Sequence, residues 1–170
     1  MKNLLKLCLV FLFLSTGFTT YAQKFGHIDT QQLIQIMPGR AEATAELEKV
    51  AKELEGIQGE LQKEYQAKLT EYLNTRDSLS DVAQKAKEGE LQSMQQRIES
   101  SMQVAQQQMQ QKQAELFKPI LDKAKETIEA VAKEQGLIYV FDVQPGTPIL
   151  YKSNDSVDIL PLAKKKLGIQ

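Results

Sequence analysis

The chain has one cysteine, one histidine and no tryptophan, and only 6% of its 170 residues are aromatic. The cysteine, Cys8, lies in an apolar N-terminal block, so no disulfide framework can be drawn within the chain. With His27 as the only histidine, no cluster has metal-ligand spacing, and neither a GxSxG elbow nor a glycine-rich phosphate loop occurs. No catalytic, cofactor-binding or metal site is therefore expected, and the chain reads as a non-enzyme. Scarce aromatics in a chain of single-domain length also argue against a large compact core.

A dominant charge is missing as well. The formal net charge is −1. Such a balance predicts no nucleic-acid partner and no strong attraction to anionic lipid. The longest apolar run, Leu7 to Phe18, is too short for a comfortable membrane span. With Lys2 and Lys6 before it and Thr20 and Ala22 after it, the run predicts a secretory signal peptide over residues 1–22, cleaved after Ala22. Cleavage removes Cys8 and two lysines and leaves 19 basic against 22 acidic residues, a formal charge of −3.

The remaining sequence falls into three zones. Residues 23–39 are short and mixed, residues 40–135 are rich in Gln, Glu, Lys and Ala without proline or glycine clusters, and residues 136–170 regain Pro, Gly, Tyr and Val. The middle composition is that of long helices. Leu47, Val50, Leu54, Ile57 and Leu61 follow steps of three and four, a heptad seam that continues through Tyr65, Leu69 and Tyr72. The interval from Leu61 to Tyr72 is eleven residues, which relaxes a left-handed supercoil. A second narrow stripe runs through Leu91, Met94, Ile98, Met102, Ala105, Met109, Leu116, Ile120, Ala124, Ile128 and Val131.

Between the stripes, NTRDSLSD at 74–81 is crowded with residues that compete for backbone hydrogen bonds, and Ser80 or Asp81 is placed to cap a second helix. The reading is a helical hairpin with its tip at 74–81, Gly89 being the competing tip. An arm of roughly 40 residues reaches about 60 Å at helical rise. Glu48 with Lys52 and Glu64 with Lys68 are spaced for i,i+4 pairs on solvated faces. Pro119 predicts a kink or break in the returning helix.

The flanks read as one small sheet. KFGHI is a short alternating strand, followed by a helical turn boxed by Asp29 and Gln32 and ended by Pro38-Gly39. LIYVFDV is strongly β-forming, QPGT suits a type II turn, and PILYK is expected to be the partner strand. Asp158 is expected to cap a last helix that Gly168 stops, with Lys164, Lys165 and Lys166 complementing its dipole or forming a basic patch. The fold class is thus α+β, mostly helical. A β-containing oligomerisation body built from 23–39 and 136–170 carries a coiled-coil arm over 40–135. So small a sheet buries little alone, so oligomerisation through it is expected.

The order of elements, together with KFGHIDTQQLI near the start and VAKEQGLIYVFDVQPGTPILYKSNDSVDILPLAKKKLG at the end, resembles the Skp (OmpH-like) family of periplasmic chaperones. The resemblance covers essentially the whole chain after residue 22. It implies a homotrimer whose small sheets join into one body, with arms around a cavity that holds unfolded outer-membrane proteins without ATP. By position, Phe25, Ile28, Leu137, Val140, Phe141, Ile149 and Leu150 would form the body and subunit interface. Candidate client contacts on the arm are read from the residues and not from a family motif: Met94, Ile98, Met102 and Met109, with Tyr65 and Tyr72 on the first helix. The slightly acidic charge departs from the strongly basic members, which weakens the case for membrane or lipopolysaccharide contact. The competing reading is a trimeric coiled-coil spacer or adaptor of the cell envelope.

Overall fold

The computed structural model describes residues 23–169. The expected signal peptide, residues 1–22, lies outside the described residues. A three-stranded sheet has β1 (Lys24–Ile28) in the middle, flanked by β2 (Leu137–Asp142) and β3 (Val157–Asp158), in the order β2-β1-β3. Both neighbours run parallel to β1, with Phe25 opposite Tyr139, His27 opposite Phe141, and Gly26 opposite Val157. Parallel pairing needs long crossovers, and the helices supply them.

After β1 come α1 (Thr30–Ile36) and α2 (Arg40–Thr75), then a 3-10 turn (Arg76–Ser78), the 55-residue α3 (Asp81–Gln135) and finally α4 (Leu160–Leu167). Asp29 caps α1 by accepting from the Gln32 N–H at 2.9 Å, and the Gln32 side chain returns to the same carboxylate at 2.8 Å. Gly39 starts α2 from a left-handed backbone (φ 83°). The hairpin turn occupies Arg76–Ser80: the Ser80 hydroxyl accepts from Ala83 N–H, and the Gln84 side chain donates to the carbonyls of Arg76 and Leu79. Gly89 lies inside α3 and marks no turn.

Three expectations are corrected. PILYK forms no strand: the outer edge of β2 is left unpaired among the described residues, and the third strand is instead the short Val157–Asp158 within SNDSVDI, on the far edge of β1. The turn before it does form, with Gly146 at φ 92° and Thr147 N–H bonded to the Gln144 carbonyl. The helix α3 runs unbroken through Pro119. Lys68 pairs across the hairpin with Glu90 instead of with Glu64, and Lys87 returns the contact to Glu71 at 2.8 Å.

The core joins Ile28, Leu33 and Met37 to Ala43 of α2, Ile120, Ala124 and Val131 of α3, and Ile159 and Ala163 near and in α4. Residues 116–131 lie in the arm by composition, yet they supply Ile120, Ala124 and Val131 to the core of the body. The arm and the body therefore share one continuous helix. Gly26 leaves room for the Leu137 side chain, since a Cβ there would lie 2.5 Å from Leu137 Cδ1.

Candidate functional site: the outer face of the body and the arm

The two faces of the sheet differ. Alternation along β1 and β2 sends Ile28 into the core, at 1% exposure, with Leu137 and Val140 packed against the same cluster. The opposite face carries Phe25, Tyr139 and Phe141, exposed by 40%, 64% and 41%. Their rings stack in a triangle with centroids 6.0 to 6.3 Å apart. The expected interface residues thus divide: Phe25, Phe141, Ile149 and Leu150 lie on the outside, whereas Ile28, Leu137 and Val140 serve the chain's own core. Leu150 is fully exposed and Tyr151 nearly so.

Tyr139 and Tyr151 belong to this outer surface and were not singled out from the sequence. Period-two alternation from Phe141 was the available signal for Tyr139. A bulge between Lys24 and Phe25 leaves Ile138 without a partner on β1, and its side chain is exposed.

His27 shares the outer side of β1 but is buried beneath the loop that precedes β3. Its Nδ1 lies 2.9 Å from Ser156 Oγ, and its Nε2 lies 2.7 Å from Lys152 Nζ. A lysine ammonium offers only protons, so these partners assign Nε2 as acceptor and Nδ1 as donor to Ser156. Both nitrogens are thereby occupied in holding the loop to the sheet. Among the described residues no group of three or more His, Cys, Asp or Glu side chains is placed to hold a metal ion.

On the arm, Leu61 and Tyr72 of α2 meet Leu91 and Met94 of α3 in a buried seam. Met94 and Tyr72 are therefore structural residues of the hairpin. The Tyr72 hydroxyl donates to Glu88 at 2.5 Å, and this bond, with burial and the Glu88 charge, raises the phenol above its ordinary range. Tyr65 is half-buried and accepts from Gln95 at 2.8 Å. The Lys68–Glu90 contact, a hydrogen bond reinforced by charge, raises the amine and lowers the carboxyl; the Lys87 contact likewise lowers Glu71.

Midway along the arm the seam carries a polar pair. Gln58 Nε2 donates to Ser101 Oγ at 2.9 Å, and the apolar neighbours Ile57 and Met102 turn outwards, Met102 to 59% exposure. The heptad reading placed Ile57 and Met102 in the seam; Gln58 and Ser101 take those places because they satisfy each other. Ile98 and Met109 are half-buried, and Val104 is exposed on the opposite side of the helix from Met102. Val104, together with Leu73 and Val82 at the tip, adds apolar surface that the stripe did not identify.

Among the described residues no helix is long and apolar enough to cross a membrane. No curated protein matches the chain significantly in sequence. The family model described as outer membrane protein (OmpH-like) matches residues 24–167, which includes every strand and helix described above. The chain belongs to the OmpH-like family, the Skp family of periplasmic chaperones for outer-membrane proteins.

Proposed function

We propose that this chain is an ATP-independent holdase that keeps unfolded outer-membrane proteins from aggregating before they insert. The observation that carries the reading is the stacked, exposed Phe25–Tyr139–Phe141 surface on a body too small to cover it. A solvent-facing aromatic cluster of this kind marks an association surface. Covering it with copies of the same chain makes a homotrimer, with Phe25, Phe141, Ile149 and Leu150 at the junction and three arms enclosing a cavity. Residues 1–22 would direct export to the periplasm and be cleaved after Ala22.

Within the cavity the client contacts are the arm residues left open by the hairpin: Met102 above all, with the half-buried Ile98 and Met109 on the same side of the helix. Methionine side chains adapt to irregular partners, which suits clients that share no sequence. Many weak contacts then hold a client without reading it.

Sedimentation of the chain from residue 23 onward, alone and with a urea-diluted outer-membrane barrel protein, tests this reading. The expected result is a trimer that keeps the barrel protein soluble as a discrete complex. A trimer beside an aggregated barrel would favour a structural spacer, and a monomer would refute the assembled body.

A further inference from the structure

Seven of the eleven residues from Gln103 to Gln113 are glutamine, and Ser100 to Gln111 contains no charged residue. All seven side chains are exposed, and none hydrogen-bonds another described residue. Elsewhere on the arm Gln58, Gln84 and Gln95 have partners, whereas Gln62, Gln66, Gln92 and Gln96 are exposed without a side-chain partner among the described residues; the 103–113 stretch differs from these in its density of glutamine and its lack of charge. Steps of four, three, four, three and four along α3 align Gln103, Gln107, Gln110, Ala114, Phe117 and Leu121 on one face. That face points away from the seam formed by Ser101, Ala105, Met109 and Leu116. Its body-proximal end is a shallow groove lined by Gln110, Ala114, Phe117 and Leu121 and bordered by the Lys118–Asp122 ion pair.

We infer that this face is a binding surface for the backbone of an extended polypeptide, read through its peptide groups. The inference rests on the holdase reading and names what that site recognises. A glutamine amide carries one carbonyl and one NH2 group, the same donor and acceptor chemistry as a peptide bond. Unpaired peptide groups are what an unfolded β-strand presents along its whole length. The uncharged stretch from Ser100 to Gln111 neither selects nor repels clients by their charged side chains, and the Phe117–Leu121 groove, whose bordering Lys118 and Asp122 neutralise each other, gives one apolar side chain a place to dock. Dimensions agree: eighteen helical residues span about 27 Å, or about eight extended residues, against roughly nine to eleven in a barrel strand.

The test is a two-by-two comparison between the full chain from residue 23 onward and its Gln103→Ala, Gln107→Ala, Gln110→Ala variant. Alanine keeps the helix, its propensity being the highest of all residues, and circular dichroism checks this. The probes are a fluorescent ten-residue Thr/Val peptide with lysine ends and the same peptide N-methylated at alternate residues. Methylation removes backbone donors and leaves the side chains intact. The expected result is that methylation weakens binding to the parent chain about tenfold, as loss of a few modest hydrogen bonds would, and leaves binding to the variant unchanged. An equal methylation penalty in both proteins, or none in either, overturns the inference. Keeping a barrel protein soluble is scored separately. A parent chain that holds the barrel without a methylation effect retains the holdase reading and loses this one, and the reverse pattern loses only the holdase.

Discussion

Asp142 Oδ2 accepts a 2.5 Å hydrogen bond from the Thr30 hydroxyl, while its Oδ1 accepts from the Thr30 backbone N–H at 3.2 Å. The last residue of β2 thereby secures the first residue of α1, in the same turn that Asp29 caps. Positions 112 apart in sequence are joined at the point where the sheet hands over to the helices.

Asp142→Ala removes this tie and is expected to destabilise the body by about 1–2 kcal/mol, the upper part of the range for losing a helix cap. The carboxyl also sets an acid limit. Burial raises its pKa, but the bonds from Thr30 and Gln144 outweigh burial, and the net shift is downward. A carboxyl lowered in the folded state adds stability that is present above its unfolded pKa and lost as pH falls through the folded value. Urea midpoints measured below about pH 4 should fall more steeply for the parent than for Asp142→Asn.

Gly56 and Gly59 lie within α2, neither has a positive φ, and a Cβ on either would meet nothing within 4 Å. Neither space nor backbone requires glycine there. Gly56→Ala and Gly59→Ala should each stabilise the arm by about 1 kcal/mol, read as a higher thermal midpoint by circular dichroism at 222 nm.

The Gln58–Ser101 bond predicts non-additivity. Ser101→Ala leaves the Gln58 amide without its partner in the seam and should cost about 1 kcal/mol. Adding Gln58→Leu should recover that loss or exceed it, because both polar groups are then gone. Additive losses in the thermal midpoints of the single and double variants would show that the bond does not couple the helices.

Phe141→Asp places a charge in the aromatic triangle and leaves the core untouched, since Phe141 is on the outer face. The variant should sediment as a monomer with its helical signal intact. Retention of a trimer would remove the aromatic face from the proposed interface.

Legibility from sequence followed the strength of the local signal. The long helices were legible in composition and periodicity, and β1 and β2 in their alternating or β-forming runs. PILYK has the composition of a strand and follows the turn for a hairpin with β2, yet the outer edge of β2 stays open and the sheet takes its third strand across β1, a tertiary choice that no local pattern records. Val157–Asp158 won that place inside a polar segment too short for periodicity to register. In the arm, hydrophobicity favoured Ile57 and Met102 for the seam; a mutual amide–hydroxyl bond between Gln58 and Ser101 is invisible to any stripe count. The outer face was half legible: Phe25 and Phe141 were named, while Tyr139 needed their register to be known.

The middle strand comes first in the chain, and both of its partners come more than a hundred residues later. A polypeptide emerging from its N-terminus therefore presents β1 long before anything exists to pair with it. The hairpin, whose contacts are closer in sequence, has time to form while β1 waits. Completion of the body is thereby tied to arrival of the last residues of the chain. A chain cut short before residue 137 would keep the hairpin but lack both partners of β1, so its body could not close.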